Sequence, residues 1–185
     1  SGDNTARLWD VSTGKQLIVL AGHKGAVLSA VFNSSGDRIL TASSDGTACV
    51  WNVKTGAQLV VFAGHKGTVE TAAFSPSGTF VVTGSGDNTA RIWDAERGTQ
   101  LAVLKGHEAP VYSAVFDPSE KTVLTASQDK TARLWDVHTG AQLATFIGHN
   151  RTVLSATFSP SGDRVVTTSR DKTVRVWDSN THTQL

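Results

Sequence analysis

An internal repeat of 42 residues limits this chain to a small set of repetitive folds. The dipeptide Gly-His recurs at residues 22–23, 64–65, 106–107 and 148–149, and tryptophan recurs at positions 9, 51, 93, 135 and 177. Every step is 42 residues, without insertion or deletion, and residues 1–17 resemble residues 169–185. The chain is therefore expected to be one repeat array in which each period is a structural unit.

The repeat divides residues 1–185 into four periods and a partial unit. Residues 1–22 form the partial unit, and the full units are 23–64, 65–106 and 107–148. The last unit, 149–185, lacks most of its outer strand. We expect these units to form a single domain.

Each period contains four short strand-like segments, found for example at residues 26–32, 79–83, 89–93 and 58–62 of different units. The turn Ser-Pro-Ser-Gly, at 75–78 and 159–162, combines a proline that presets a bend with a glycine that supplies a positive φ. Aspartate-bearing turns and Thr-Gly loops separate the other segments. No helical period is present, so each unit is predicted to be a meander of four antiparallel strands.

A meander of this kind is apolar on both faces and cannot be stable alone. Radial stacking of such sheets covers both faces and leaves only short edges exposed. The sequence therefore predicts an all-β chain of β-propeller blades, each with four antiparallel strands. A flat solenoid is the alternative, although 42 residues are long for one solenoid coil.

Gly-His near the start of a unit and Trp-Asp near its end resemble the WD-repeat (Trp-Asp repeat) β-propeller family. The resemblance covers the whole chain, and its verbatim repetition (Thr-Ala-Arg-Leu-Trp-Asp at 5–10 and 131–136) is similar to recently amplified bacterial arrays. The family implies a hydrogen-bonded tetrad in every unit. The matching side chains are His23, Thr41, Asp45 and Trp51; His65, Thr83, Asp87 and Trp93; His107, Thr125, Asp129 and Trp135; and His149, Thr167, Asp171 and Trp177.

The resemblance also implies a non-catalytic scaffold or sensor that binds a protein or peptide on the top face of the disc. Three positions per unit commonly face it: Ala26, Leu28 and Ser44; Thr68, Glu70 and Gly86; Pro110, Tyr112 and Gln128; Thr152, Leu154 and Arg170. These positions differ between units. The selected partner-binding residues are Leu28, Ser44, Glu70, Pro110, Tyr112, Gln128, Leu154 and Arg170. The alternative is that they are incidental surface residues.

Histidine, aspartate and a hydroxyl also suggest a hydrolase triad, but this set recurs in every unit, which favours a structural role. Four of the six histidines belong to the tetrads, and His138 and His182 lie in non-equivalent loops, which disfavours a metal site. The sequence thus predicts no catalytic residue, no metal and no cofactor. An enzyme that uses the central channel, and an engineered or amplified array without a native partner, are the alternative functions.

The formal net charge of +1 argues against nucleic acid and membrane surfaces as partners. Arginine nevertheless recurs two residues before tryptophan, at Arg7, Arg91, Arg133 and Arg175, with Cys49 in the remaining unit. A basic stripe for nucleic acid is one interpretation. The favoured one is that each arginine lays its stem along a neighbouring blade and keeps its guanidinium group in water.

The single cysteine, Cys49, cannot form an internal disulfide, which favours a reducing compartment and a cytoplasmic location. No signal peptide is visible, and no apolar run approaches the ~20 residues that span a bilayer.

Four and a fraction blades do not obviously close the ring, since family propellers usually have seven blades. The first expectation is a segment of a longer propeller-bearing protein, by analogy with repeat arrays in large bacterial signalling proteins. The second is a homodimer that completes a ring of about eight blades, and the third is an engineered array. One local departure is Glu120, which replaces the glycine of other units (Gly36, Gly78, Gly162) where a positive φ is expected.

Overall fold

The computed structural model describes residues 1–185 as seventeen β-strands in five antiparallel sheets. The first sheet contains β1 (Thr5–Trp9) and β2 (Gln16–Ala21). The second contains β3 (Val27–Phe32), β4 (Arg38–Ser43), β5 (Thr47–Asn52) and β6 (Gln58–Ala63). The third contains β7 (Val69–Phe74), β8 (Phe80–Ser85), β9 (Ala90–Asp94) and β10 (Gln100–Leu104). The fourth contains β11 (Val111–Phe116), β12 (Thr122–Ser127), β13 (Ala132–Asp136) and β14 (Gln142–Phe146), and the fifth β15 (Val153–Phe158), β16 (Arg164–Ser169) and β17 (Val174–Asp178).

Strands within each sheet follow one another in chain order, so every connection is a hairpin. Tight turns at positive φ close the hairpins; Gly36 and Gly78, for example, have φ values of 72° and 76°. Glycine reaches this conformation without a steric penalty. The predicted all-β fold of repeated, four-stranded antiparallel blades is confirmed.

Four apolar clusters join neighbouring sheets and make the array continuous. Between the second and third sheets, for example, Leu40 and Val50 pack against Val69, Val81 and Trp93. Equivalent clusters join the first sheet to the second, the third to the fourth and the fourth to the fifth. Both faces of a central blade are thus covered, as the stacking argument requires.

The two outer faces of the array are not covered. Ala30 of β3 is exposed, whereas its equivalents Ala72 and Ala114 are buried, and Phe32 is 53% exposed, whereas its equivalent Phe116 is 8% exposed. On the fifth sheet, Val174 is 64% exposed, whereas its equivalent Ala132 is 1% exposed. Sheets of the same sequence pattern are therefore buried inside the array and open at its outer faces.

Glu120 takes the left-handed backbone conformation that its position predicted, with φ of 60°. Its carboxylate reaches the preceding blade and accepts hydrogen bonds from the backbone N–H and the hydroxyl of Ser77. The hydrogen bonds of this strained residue thus connect two neighbouring blades.

No helix in the structure has the length and hydropathy needed to cross a lipid bilayer.

Candidate functional site

The structure brings the four predicted tetrad side chains together in every full period. Histidine Nδ1 lies 2.9, 2.9, 2.6 and 2.7 Å from aspartate Oδ2 in the four successive sets. Histidine Nε2 lies 2.8, 2.7, 2.7 and 2.8 Å from threonine Oγ1. The indole Nε1 of tryptophan donates to the same threonine oxygen at 2.8, 2.9, 2.8 and 2.9 Å.

The direction of each hydrogen bond follows from what the groups can donate. An ionised aspartate only accepts, so His65 Nδ1 carries the proton that it donates to Asp87. In the neutral ring Nε2 then accepts, and the Thr83 hydroxyl donates to it while accepting from Trp93. One chain of bonds therefore connects the turn carboxylate to the core indole and fixes the histidine tautomer.

The tetrad aspartates stay ionised although they are largely buried. Burial by itself raises the pKa of Asp45, but bonds from Thr47, the backbone N–H of Lys24 and His23 outweigh it and lower the pKa to about 2. The same balance holds the pKa values of Asp87, Asp129 and Asp171 far below their usual range.

Two further repeating groups complete the network and were not singled out from the sequence. A threonine two residues after the aspartate donates to its Oδ1 at 2.6 or 2.7 Å: Thr47, Thr89, Thr131 and Thr173. A buried serine two residues before the aspartate accepts its backbone N–H at 3.1 Å: Ser43, Ser85, Ser127 and Ser169. Their recurrence at the same 42-residue step is the signal that would have found them.

The tetrads have the residue types of a catalytic triad but an unsuitable environment for catalysis. The Thr83 hydroxyl is fully buried and already bonded to both His65 and Trp93. Burial, partly offset by Asp87, lowers the pKa of His65. The network therefore serves to hold the turn against the core.

These pKa shifts predict a loss of stability in acid. Where a folded-state pKa is lowered, the unfolded chain binds more protons, so the free energy of unfolding decreases as the pH falls. The decrease is expected to begin near 6.5, the ordinary pKa of His65, and to steepen below 3.8, that of Asp87. Urea denaturation at pH 7, 5 and 3 measures it, and Asp87→Asn is expected to reduce the slope below pH 4. A free energy of unfolding that is constant or higher at pH 3 would contradict this assignment.

Two of the recurrent arginines contradict the prediction that their charged groups stay in water, whereas Arg7 is 43% exposed. Arg91 and Arg133 are about 15% exposed, and each donates from Nη1 to a glutamine of the next strand, Gln100 at 2.6 Å or Gln142 at 2.7 Å. Each Nη2 lies within 3.7 Å of the tetrad aspartate. The guanidinium fills a space beside the Gly-His dipeptide, because a Cβ on Gly64 would lie 2.7 Å from Arg91 Nη1.

The three predicted top-face positions of each unit lie together in the structure. In each unit, a backbone hydrogen bond joins the third of these positions to the first. The N–H donors and their carbonyl acceptors are Ser44 and Ala26, Gly86 and Thr68, Gln128 and Pro110, and Arg170 and Thr152, at 2.8–2.9 Å. The second position is the variable strand residue. The variable residue itself is the extra residue of a β-bulge in the second to fifth sheets: Leu28, Glu70, Tyr112 and Leu154. A bulge re-aims a side chain out of the regular ladder.

The bulge residues differ in chemistry and in exposure. Leu28 is 49% exposed and Leu154 is 41% exposed. The Tyr112 hydroxyl lies 3.4 Å from Gln128 Oε1, which links two selected residues of one blade. Glu70 is partly buried with no ion-pair partner within 4.0 Å, and burial raises its pKa. This row therefore carries two aliphatic groups, one aromatic group and one acid.

The family profile described as WD domain, G-beta repeat matches residues 14–52, 56–94, 98–136 and 140–178. The chain belongs to the WD-repeat family. It is 50% identical over 40 residues to Autophagy-related protein 16 of Arabidopsis thaliana, which is 22% of this chain and 8% of that protein. It is 51% identical over 43 residues to human WD repeat-containing protein 37, which is 23% of this chain and 9% of that protein. The matched stretches thus span less than a tenth of these relatives.

WD repeats generally act as protein–protein interaction modules rather than enzymes, and they generally bind protein partners. No group of three or more His, Cys, Asp or Glu side chains in the structure is placed to hold a metal ion. The geometry accordingly separates a repeating framework from a variable row of bulge residues.

Proposed function

We propose that this chain is a non-catalytic interaction scaffold or sensor that binds a protein or peptide on its top face. The observation that carries the proposal is the β-bulge of the second to fifth sheets, which projects an aliphatic, an acidic or an aromatic side chain from an otherwise repeating framework. Residues that repeat in every unit are expected to serve folding, and exposed residues that vary between units are expected to serve recognition.

The apolar part of the proposed surface is supplied by Leu28, Tyr112 and Leu154. Two of these are more than 40% exposed on a face whose other positions are largely polar. Tyrosine is enriched among the residues that dominate binding energy, because it combines a large apolar area with a polar tip. These side chains are the proposed anchors, and Pro110 and Ser44 would line the rim around them.

The charged part of the surface has opposite signs on different blades. Glu70 on the third sheet has no cationic partner, and the exposed Arg170 follows the fifth sheet's β16. Such an arrangement favours a partner with a basic group near one blade and an acidic group near the other. Charge pairs of this kind contribute more to specificity and association rate than to affinity.

The proposal is tested with a peptide selected from a random display library on the wild-type chain. Replacing Tyr112 and Leu154 together by alanine is expected to weaken that peptide by about tenfold or more, because anchor residues typically contribute about 2 kcal/mol. The matched control replaces Leu59 and Leu143, which are similarly exposed on outer strands, and should leave the affinity unchanged. Equal affinities of the wild-type and top-face variants would move the site elsewhere.

We also propose that the two open faces of the array are covered by further blades, either from the remainder of a longer chain or from a second copy that completes a ring of about eight. The exposed Phe32 and Val174, whose equivalents Phe116 and Ala132 are buried, support this. Light scattering of the chain should then give a dimer or self-associated mass. A stable monomer at high concentration would contradict the second-copy form.

A reducing, cytoplasmic location is the corresponding proposal for the compartment. Cys49 is free and buried, and burial raises the pKa of its thiol to about 11, so that the residue behaves as an inert core group. Localisation of a tagged chain outside the cytoplasm would overturn it.

A further inference from the structure

A cavity of about 330 Å³ lies beside β5 and β6 of the second sheet, at the one full period that lacks the recurrent arginine. Gly22, Asp45, Cys49 and Gln58 line it, together with Lys24, Thr47 and Val61. None of these residues belongs to the top-face set. The cavity therefore shares no lining residue with the proposed partner surface, although Asp45 directly follows Ser44 of that surface.

The other periods show what normally occupies this space. In the third sheet the Arg91 guanidinium donates to Gln100 and lies 3.7 Å from Asp87. In the fourth, Arg133 makes the same two contacts with Gln142 and Asp129. In the fifth, Arg175 donates to Gln184 at 2.6 Å. Three periods thus bind a guanidinium supplied by their own strand.

The second sheet keeps the acceptors of this arrangement and lacks the donor. Asp45 and Gln58 occupy the positions of Asp87 and Gln100, while Cys49 replaces Arg91. Gln58 Oε1 accepts no hydrogen bond from the protein, since the Gln58 amide nitrogen donates instead to the Cys49 sulfur at 3.4 Å. Lys24 lines the cavity, but no ion pair joins its side chain to Asp45. The space next to Gly22 is thus left with an ionised carboxylate and an unused amide oxygen.

From this internal comparison we propose that the cavity beside Cys49 is a binding site for a guanidinium group, the arginine side chain of a partner protein. The planar guanidinium can donate to Gln58 while its charge lies beside the Asp45 carboxylate, as Arg91 donates to Gln100 and lies 3.7 Å from Asp87. A lysine ammonium is a point charge without this planar fork. The buried Cys49 sulfur supplies an apolar floor.

The test uses N-acetyl-arginine amide as the probe and N-acetyl-lysine amide as the comparison, both followed by amide chemical shifts in the intact chain. The wild type is expected to show saturable shifts at Gly22, Asp45 and Gln58 with the arginine probe. The lysine probe should bind about tenfold more weakly, because one charge-assisted hydrogen bond is lost. If an arginine-containing tripeptide binds more tightly than N-acetyl-arginine amide, the result supports an arginine of a partner protein as the occupant. If the tripeptide does not bind, a partner protein is overturned as the source of the guanidinium group.

Two reciprocal substitutions keep the proposal falsifiable. Cys49→Arg fills the cavity from within and is expected to abolish the saturable shifts, while Cys49→Ala should retain them. Arg91→Cys is expected to recreate the cavity beside the third sheet and to raise the number of bound probes from one to two. Shifts that persist in Cys49→Arg, or that are equal for the arginine and lysine probes, would overturn the proposal.

Discussion

Replacing Trp93 with alanine is expected to lower the free energy of unfolding by about 3–5 kcal/mol. The indole is 2% exposed, and it packs in the cluster between the second and third sheets, with its ring 5.6 Å from that of Phe62. Its removal opens a cavity at a blade interface and leaves the Thr83 oxygen without its N–H donor. Because neighbouring sheets stabilise each other through such interfaces, the loss should affect both.

The chain contains its own control for this substitution. Trp9 occupies the same repeat position in the first sheet but is 50% exposed and makes no side-chain hydrogen bond in the structure. Trp9→Ala is therefore expected to change the stability by about 1 kcal/mol or less. Urea denaturation of both variants measures the contrast, and equal losses would show that blade interfaces do not carry the stability.

Replacing Thr83 with valine is expected to cost about 2–5 kcal/mol, although the two side chains have nearly the same shape. The substitution removes the hydroxyl that joins His65 to Trp93 and leaves a buried N–H and a buried ring nitrogen without partners. Each unsatisfied buried group costs about 1–3 kcal/mol. The effect thus isolates the polar network from the apolar packing.

The matched control for the network is Thr99→Val, at an exposed threonine whose hydroxyl has no hydrogen bond to a protein group. Its expected effect is within about 0.5 kcal/mol. Denaturation midpoints of Thr83→Val and Thr99→Val that coincide would show that the tetrad contributes no stability beyond its packing.

The repeating positions were predictable from the sequence because the same physical requirement occurs in each unit. An indole such as Trp93 needs a buried acceptor, and a turn such as that of Asp87 needs a fixed carboxylate, so the same residue types recur at the same spacing. The antiparallel strands followed from the short apolar segments and their turn residues. Even the positive φ of Glu120 followed from the glycines at its equivalent positions.

The recurrent arginines could not be placed in this way. Strand alternation predicts the side of the sheet on which Arg91 lies, but not where its guanidinium group ends. The side chain of an arginine can extend into water or lie along a neighbouring blade. The position of the guanidinium group is decided by the space beside Gly64 and by the side-chain oxygen of Gln100, neither of which lies next to Arg91 in the sequence. The cavity beside Cys49 became apparent only after that position was known.

The bulges were equally hidden, because the variable residues were selected by resemblance and not by geometry. A bulge depends on how two strands pair, here the shift of register between Val27 and Ser29 opposite β4, which a single strand does not specify. Ring closure depends on the angle between blades, which no single residue determines.

The central claim is that the repeating framework folds the chain while the variable bulge residues bind a partner. Amide hydrogen exchange of the wild-type chain with and without the selected peptide tests it most directly. We predict new protection at residues 26–28, 68–70, 110–112 and 152–154 and at the turns that pair with them. Protection confined to the opposite turns, such as residues 33–37 and 117–121, with no change at the bulges, would contradict the account.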